Sequence, residues 1–252
     1  MKKTISALII AFLFSSVSLM AQKQLYFGLA GTGLSSIVTN QNNYGLWFEM
    51  DYKVTFGGSG NVTAGFDFNK HAGLKLEIGF AKLGQKYADH TKGPNDSVYS
   101  DYTRNVKLNY LQIPLLFKYR TGGEVVRFYL MAGPQFNFLL SATQQYLKDD
   151  EIFDIKDYKP ENWDKMSIQI GQEKITERYS SLDIMGRLDL GTDIQVASNL
   201  FLNVGLTLAY GLLDINGADW HIKDHTGNYN PSHNIYGGLN FGINYVLPLG
   251  SK

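Results

Sequence analysis

The stretch Ser181-Leu182-Asp183-Ile184-Met185-Gly186-Arg187-Leu188-Asp189-Leu190-Gly191-Thr192-Asp193-Ile194-Gln195-Val196-Ala197 decides the fold. Its even positions are almost all apolar, while Asp183, Arg187, Asp189, Asp193 and Gln195 stand on the odd ones. A period of two is the mark of a β-strand with one greasy and one wet face. A column of charges opposite bare aliphatics, on a strand long enough to cross a bilayer, predicts a transmembrane β-barrel with lipid outside and a polar interior.

Seven more segments carry the same two-faced pattern, and with the first they make eight strands. Leu25, Phe27 and Leu29 form one apolar face; Val62, Ala64, Phe66 and Phe68 a second; Leu74, Leu76, Ile78 and Phe80 a third. Leu111, Ile113, Leu115, Phe117 and Tyr119 follow, then the even positions from Val126 to Phe138. Leu200, Leu202, Val204, Leu206 and Leu208 precede Leu239, Phe241, Ile243, Tyr245 and Leu247. Short connections at 69–71, 121–124 and 198–199 alternate with long ones at 36–60, 88–104, 142–180 and 216–233. Such alternation predicts an all-β, eight-stranded antiparallel up-and-down barrel with tight periplasmic turns and long outer loops, where a soluble sandwich has no reason to sort its loops by length.

Two features strain this count. Phe48, Met50, Tyr52, Val54 and Phe56 also alternate, so either the second strand projects beyond the membrane or a separate strand needs a tenth partner, for which Met166, Ile168 and Ile170 are the candidate. Pro114 and Pro134 fall inside expected strands. Proline removes a ladder donor, so a bulge is expected at each, on neighbouring strands.

The ends and composition set the compartment. Lys2 and Lys3, the apolar run within 5–17 and the small residue Ala21 predict a signal peptide over 1–21, leaving the barrel domain as 22–252. The chain has no cysteine, which excludes disulfides, thiolate metal sites and cysteine nucleophiles. Its formal net charge of zero gives no basic field for nucleic acid. The 16 tyrosines and 15 phenylalanines suit interfacial aromatic girdles.

The segment Asn109-Tyr110-Leu111-Gln112-Ile113-Pro114-Leu115-Leu116-Phe117-Lys118-Tyr119 resembles a signature strand of the PorT-like family of outer-membrane β-barrel proteins, typical of Bacteroidetes. Ala132-Gly133-Pro134 and the stretch from Asp183 to Gly191, with Tyr210-Gly211-Leu212-Leu213-Asp214-Ile215, extend the resemblance over most of the mature chain. It implies an eight-stranded barrel in the outer membrane of a Gram-negative bacterium. It carries strand motifs and no active-site motif.

The chemistry resides in the polar face. Asp183, Arg187, Asp189 and Asp193 form a charged column expected to face the lumen, joined by Lys75, Glu77, Lys118, Arg127 and Asp67. Such a column is either an ion pathway or a paired, hydrogen-bonded plug; an isolated charge costs several kcal/mol there, so the plug is expected. His221 and His225 are weak candidates for a divalent metal, with Asp219, Asp224 and His233 nearby. Ser100, His90, Asp101, His221 and Asp224 offer the residue types of a hydrolase, but no spacing joins them and no catalytic role or cofactor is assigned. The charged loop over 142–180, with Asp149, Asp150, Glu151 and Trp163, is long enough to bind an extracellular ligand or protein. Expected partners are outer-membrane lipids, the barrel-assembly machinery and such a ligand. The expected role is structural or interaction-based, with small-solute passage second.

Overall fold

A computed structural model describes residues 23–41, 51–92, 98–148, 151–152, 172–223 and 227–248. The expected signal peptide, His225 and the candidate tenth strand around Met166 lie outside them. Eight strands form the wall: β1 (Gln24–Val38), β2 (Thr55–Asp67), β3 (Ala72–Lys92), β4 (Val98–Gly122), β5 (Val126–Lys148), β6 (Leu182–Ala197), β7 (Leu200–Gly211) and β8 (Asn234–Pro248). Each pairs antiparallel with its neighbours in sequence, and β1 closes on β8 along fifteen cross-strand partners from Gln24↔Pro248 to Val38↔Asn234. The eight-stranded reading therefore holds.

Cross-strand partners followed around the wall run Lys82, Gly58, Gly33, Leu239, Leu206, Leu190, Leu130, Tyr119 and Ala72. The path returns to β3 ten residues below its start (82 to 72). That stagger, with strands about 4.8 Å apart and about 3.3 Å per residue, tilts the strands by roughly 40° and sets a radius of about 8 Å. A barrel this narrow is filled by its own side chains.

Phe27, Phe80, Phe117, Phe128, Leu190, Leu206, Leu208 and Phe241 face outward and are exposed. Tyr26, Glu77, Gln112, Lys118, Arg187, Asp189 and Asn240 face inward and are buried. The chain thus displays its apolar side to the surroundings, as a lipid-facing wall requires.

At the loop end this polarity reverses. There Leu83, Tyr87, Val106, Leu108 and Ala142 point inward and are buried, whereas Lys82 and Lys107 point outward and are exposed. β3, β4 and β5 run 21, 25 and 23 residues, against 12 to 16 for the other five. A crossing needs about ten, so these three continue into water as an ordinary sheet with its apolar face inside. The connection expected at 88–104 is accordingly strand for most of its length, with register Ala88↔Thr103 and His90↔Asp101. A short strand, Asp51–Lys53, pairs with 86–88 of β3, which supports the projecting-strand alternative for the second strand.

The prolines behave differently from expectation. Ile113↔Phe136, Pro114↔Gln135 and Phe117↔Ala132 keep one register, so neither proline marks a bulge. Instead no pairing forms between 77–78 and 113–114, or between 115–116 and 133–134. The missing donor opens the ladder without adding a residue. The bulge in this pair of strands lies at Asn109/Tyr110.

Candidate functional site

The lumen is built in layers. Alternation places Lys75 and Glu77 on one face of β3, and Arg187 and Asp189 on one face of β6. Lys75 Nζ stands 2.6 Å from Glu77 Oε1. Across the lumen Arg187 donates to Glu77 Oε2 at 3.0 Å and forks onto Asp189 at 2.9 and 2.8 Å. Asn61 adds a donor to Glu77 at 3.1 Å and accepts from Gln112 at 2.7 Å. All four charged groups are within 4% of full burial. Fork geometry of this kind fixes position as well as charge.

Nearer the short turns a second group forms. Lys118 donates to Asp193, and Arg120 bridges Asp67 at 2.9 Å and Asp193 at 3.8 Å. The Lys118 ammonium also lies 5.2 to 5.7 Å from the ring centres of Phe201, Tyr26 and Tyr129. The two tyrosine rings lie over glycines: a Cβ on Gly65 would stand 2.0 Å from the Tyr26 ring, and one on Gly205 would stand 2.4 Å from the Tyr129 hydroxyl. Arg127 sits at the mouth, half-exposed, and donates to Gln195.

Asp183 is set apart from the charges it was grouped with. Its partners are Asn234 at 2.9 Å and Asn137 at 3.5 Å, and among the described residues no cation pairs with it. Around and above it, Leu34, Leu83, Tyr87, Leu108, Tyr110, Met185 and Tyr236 make an apolar layer.

Two loop segments cap that layer, and sequence reasoning missed them. Ile175 and Tyr179 from one and Ile215 from the other are buried in the apolar cluster. Ile175 donates to the Ala142 carbonyl at 2.9 Å, Ser180 to that of Ile215 at 2.8 Å, and Gly217 to that of Arg178 at 2.9 Å, so the segments are stitched to β5 and to each other. Arg178 Nη2 donates to both carboxylate oxygens of Glu173 at 2.9 Å, and its guanidinium lies 4.8 Å from the Trp220 ring centre. Asp214 anchors the second segment: one carboxylate oxygen accepts from the Asn216 and Ser232 amides, each at 3.0 Å, and the other from the Tyr229 hydroxyl.

The metal candidate does not assemble among the described residues. His221 lies 3.4 Å from Asp214 and stacks on Tyr229 at 4.3 Å, and no group of three ligand-type side chains forms there. The hydrolase candidates fall in two places, and Asp224 lies outside the described residues. His90 and Asp101 are backbone partners on β3 and β4, with Ser100 next to Asp101, whereas His221 belongs to the β7–β8 loop.

Residues 15–217 match the family model described as "Outer membrane protein beta-barrel domain". Among solved structures, the chain is similar to Neisserial surface protein A at 13% identity and TM-score 0.45, covering 88% of this chain and 96% of that one. A major outer membrane protein from Thermus thermophilus is similar at 15% identity and TM-score 0.46, covering 89% and 99%. The outer membrane protease OmpT from Escherichia coli is similar at 10% identity and TM-score 0.40, covering 92% and 100%. None of the curated proteins matches.

Proposed function

This chain belongs to the outer membrane protein β-barrel domain family, and on that premise we propose that it is a closed, non-conducting barrel of the outer membrane whose work is done by its outer loops and surface. The observation that carries this is the Glu77–Arg187–Asp189 bridge, which spans the lumen at mid-height with every member buried. A hydrated path needs charges that face water, whereas here they are bound to one another under an apolar layer and a cap.

The rest follows from that closure. The signal peptide over 1–21 directs export, the barrel-assembly machinery inserts the strands, and the long loops face outward to meet a ligand or protein partner. The chain is non-enzymatic and takes no cofactor, since the charges that converge at mid-lumen, Lys75, Glu77, Arg187 and Asp189, are paired with one another. The PorT-like assignment rests on the 109–119 strand motif.

Single-channel recording of the refolded full chain in a planar bilayer tests the closure. Silence from the wild type, with leak in Arg187→Ala, supports it. Steady ion-selective openings in the wild type overturn it and make solute passage the function.

A further inference from the structure

The outer wall carries a cationic patch confined to one sector. Lys82, Lys86 and Lys107 all point outward at the loop end of β3 and β4, where Gly84↔Lys107 and Lys86↔Asn105 are cross-strand partners. Position 84, between Lys82 and Lys86 and beside Lys107, is a glycine, so no side chain rises among the three ammoniums. Lys53 lies opposite Lys86, and Lys174 opposite Thr143 of β5, which itself pairs with Lys107. Among the described residues none of these five lysines makes an ion pair. Lys107 stands one strand, about 4.8 Å, from the glycine midway between Lys82 and Lys86, so these three long side chains can converge on one phosphate, with Lys53 and Lys174 farther out on either side.

Below the patch the wall is hollowed. Lys82 is the cross-strand partner of Gly58, and Gly58 of Gly33. A Cβ at Gly33 or Gly60 would meet nothing within 4 Å, and at Gly31 or Gly58 only a backbone oxygen at 3.5 or 3.3 Å. An open cavity of about 470 Å³ lies here, with Gly33 and Gly237 in its floor and Phe56, Leu206, Leu208 and Leu239 in its walls. The row of partners descends from Lys82 toward β6, so the cavity runs into the lipid-facing band, with only the side-chain-free Gly58 between Lys82 and the Gly33 that lines it.

We propose that this sector holds a phosphate-bearing lipid of the surrounding leaflet, with its headgroup on Lys82, Lys86 and Lys107 and an acyl chain in the glycine-floored groove. Charge and shape agree on that occupant: unpaired cations lie at headgroup level, and a row of glycines leads from Lys82 into an open apolar trough. The placement in the outer leaflet rests on the loops facing outward. The recognition itself does not.

The test uses the full chain in phosphatidylcholine vesicles, with Phe56→Trp as the reporter in the groove and Ile184→Trp, on β6 beyond the groove's lining and away from the lysines, as its control, each read as a difference from the parent chain. A minor fraction of the lipid is phosphatidate with brominated acyl chains or, in parallel, brominated phosphatidylcholine. Brominated phosphatidate is expected to occupy the groove about fivefold or more over the neutral lipid at Phe56→Trp and without preference at Ile184→Trp. The preference should vanish in the Lys82→Ala/Lys86→Ala/Lys107→Ala variant and at high salt, and persist when the three are arginine. Equal quenching at both reporters, or a preference that survives loss of the lysines, overturns the proposal. Gel mobility before heating verifies that each variant is folded.

Discussion

Glu77 of β3 and Arg187 of β6, 110 residues apart in the chain, meet across the lumen with Nη1 3.0 Å from Oε2. Removing Arg187 leaves Glu77 with Lys75 but strips the buried Asp189 of its cation. Arg187→Ala is therefore expected to lower stability by about 3–5 kcal/mol, whereas replacing all four members of the network, Lys75, Glu77, Arg187 and Asp189, with methionine or leucine costs much less. Urea unfolding in micelles, followed by gel mobility, compares the two; equal losses would mean the bridge does not act as a unit.

The Tyr26 ring fills the space that a side chain on Gly65 would need, its nearest atoms at 2.0, 2.3 and 2.5 Å from the Cβ position. Gly65→Ala should cost about 1–3 kcal/mol through overpacking. In a Tyr26→Ala background the same change should cost almost nothing. A double-mutant cycle reads the coupling directly.

Since the chain is free of cysteine, single cysteines report each face of β6 without background. Positions 188 and 190 should react with a lipid-phase label, and 187 and 189 should not. Reaction without alternation would contradict the wall described for this strand.

Asp214 accepts from two backbone amides and the Tyr229 hydroxyl, so it ties the two ends of the β7–β8 loop together. Asp214→Ala leaves those donors unpaired at a cost of about 1–3 kcal/mol. Limited proteolysis should then cut within 214–233 while the barrel itself keeps its unheated gel mobility.

How much of this could be read from sequence depends on where water lies. The eight strands were legible because Leu188 and Leu190 against Arg187 and Asp189 state their two environments outright. The continuation of β3 to β5 was not, because a search for apolar residues on the outward face loses the strand where Lys82 and Lys107 take that face and Leu83, Tyr87 and Leu108 turn inward. The polar column was recognisable as a set, but its pairing was not. Periodicity gives a face and no register, so Asp183 was grouped with Arg187 although the fold gives it Asn137 and Asn234. The cap left no sequence signal, since Ile175, Tyr179 and Ile215 are isolated apolar residues in irregular chain.

The switch of polarity along β3, between Phe80 and Lys82, also fixes the height at which the molecule floats. Sinking would drag the lysines toward the hydrocarbon, at about 2–4 kcal/mol for each that reached the midplane. Rising would lift Phe56, Phe80 and Tyr210 out of it and into water. With lysines at the rim in one sector and apolar residues such as Leu206 and Leu208 in the other, the resistance to vertical displacement is uneven around the circumference. A barrel so weighted has a preferred lean, and it presents the same side of its protruding sheet to whatever approaches along the membrane surface.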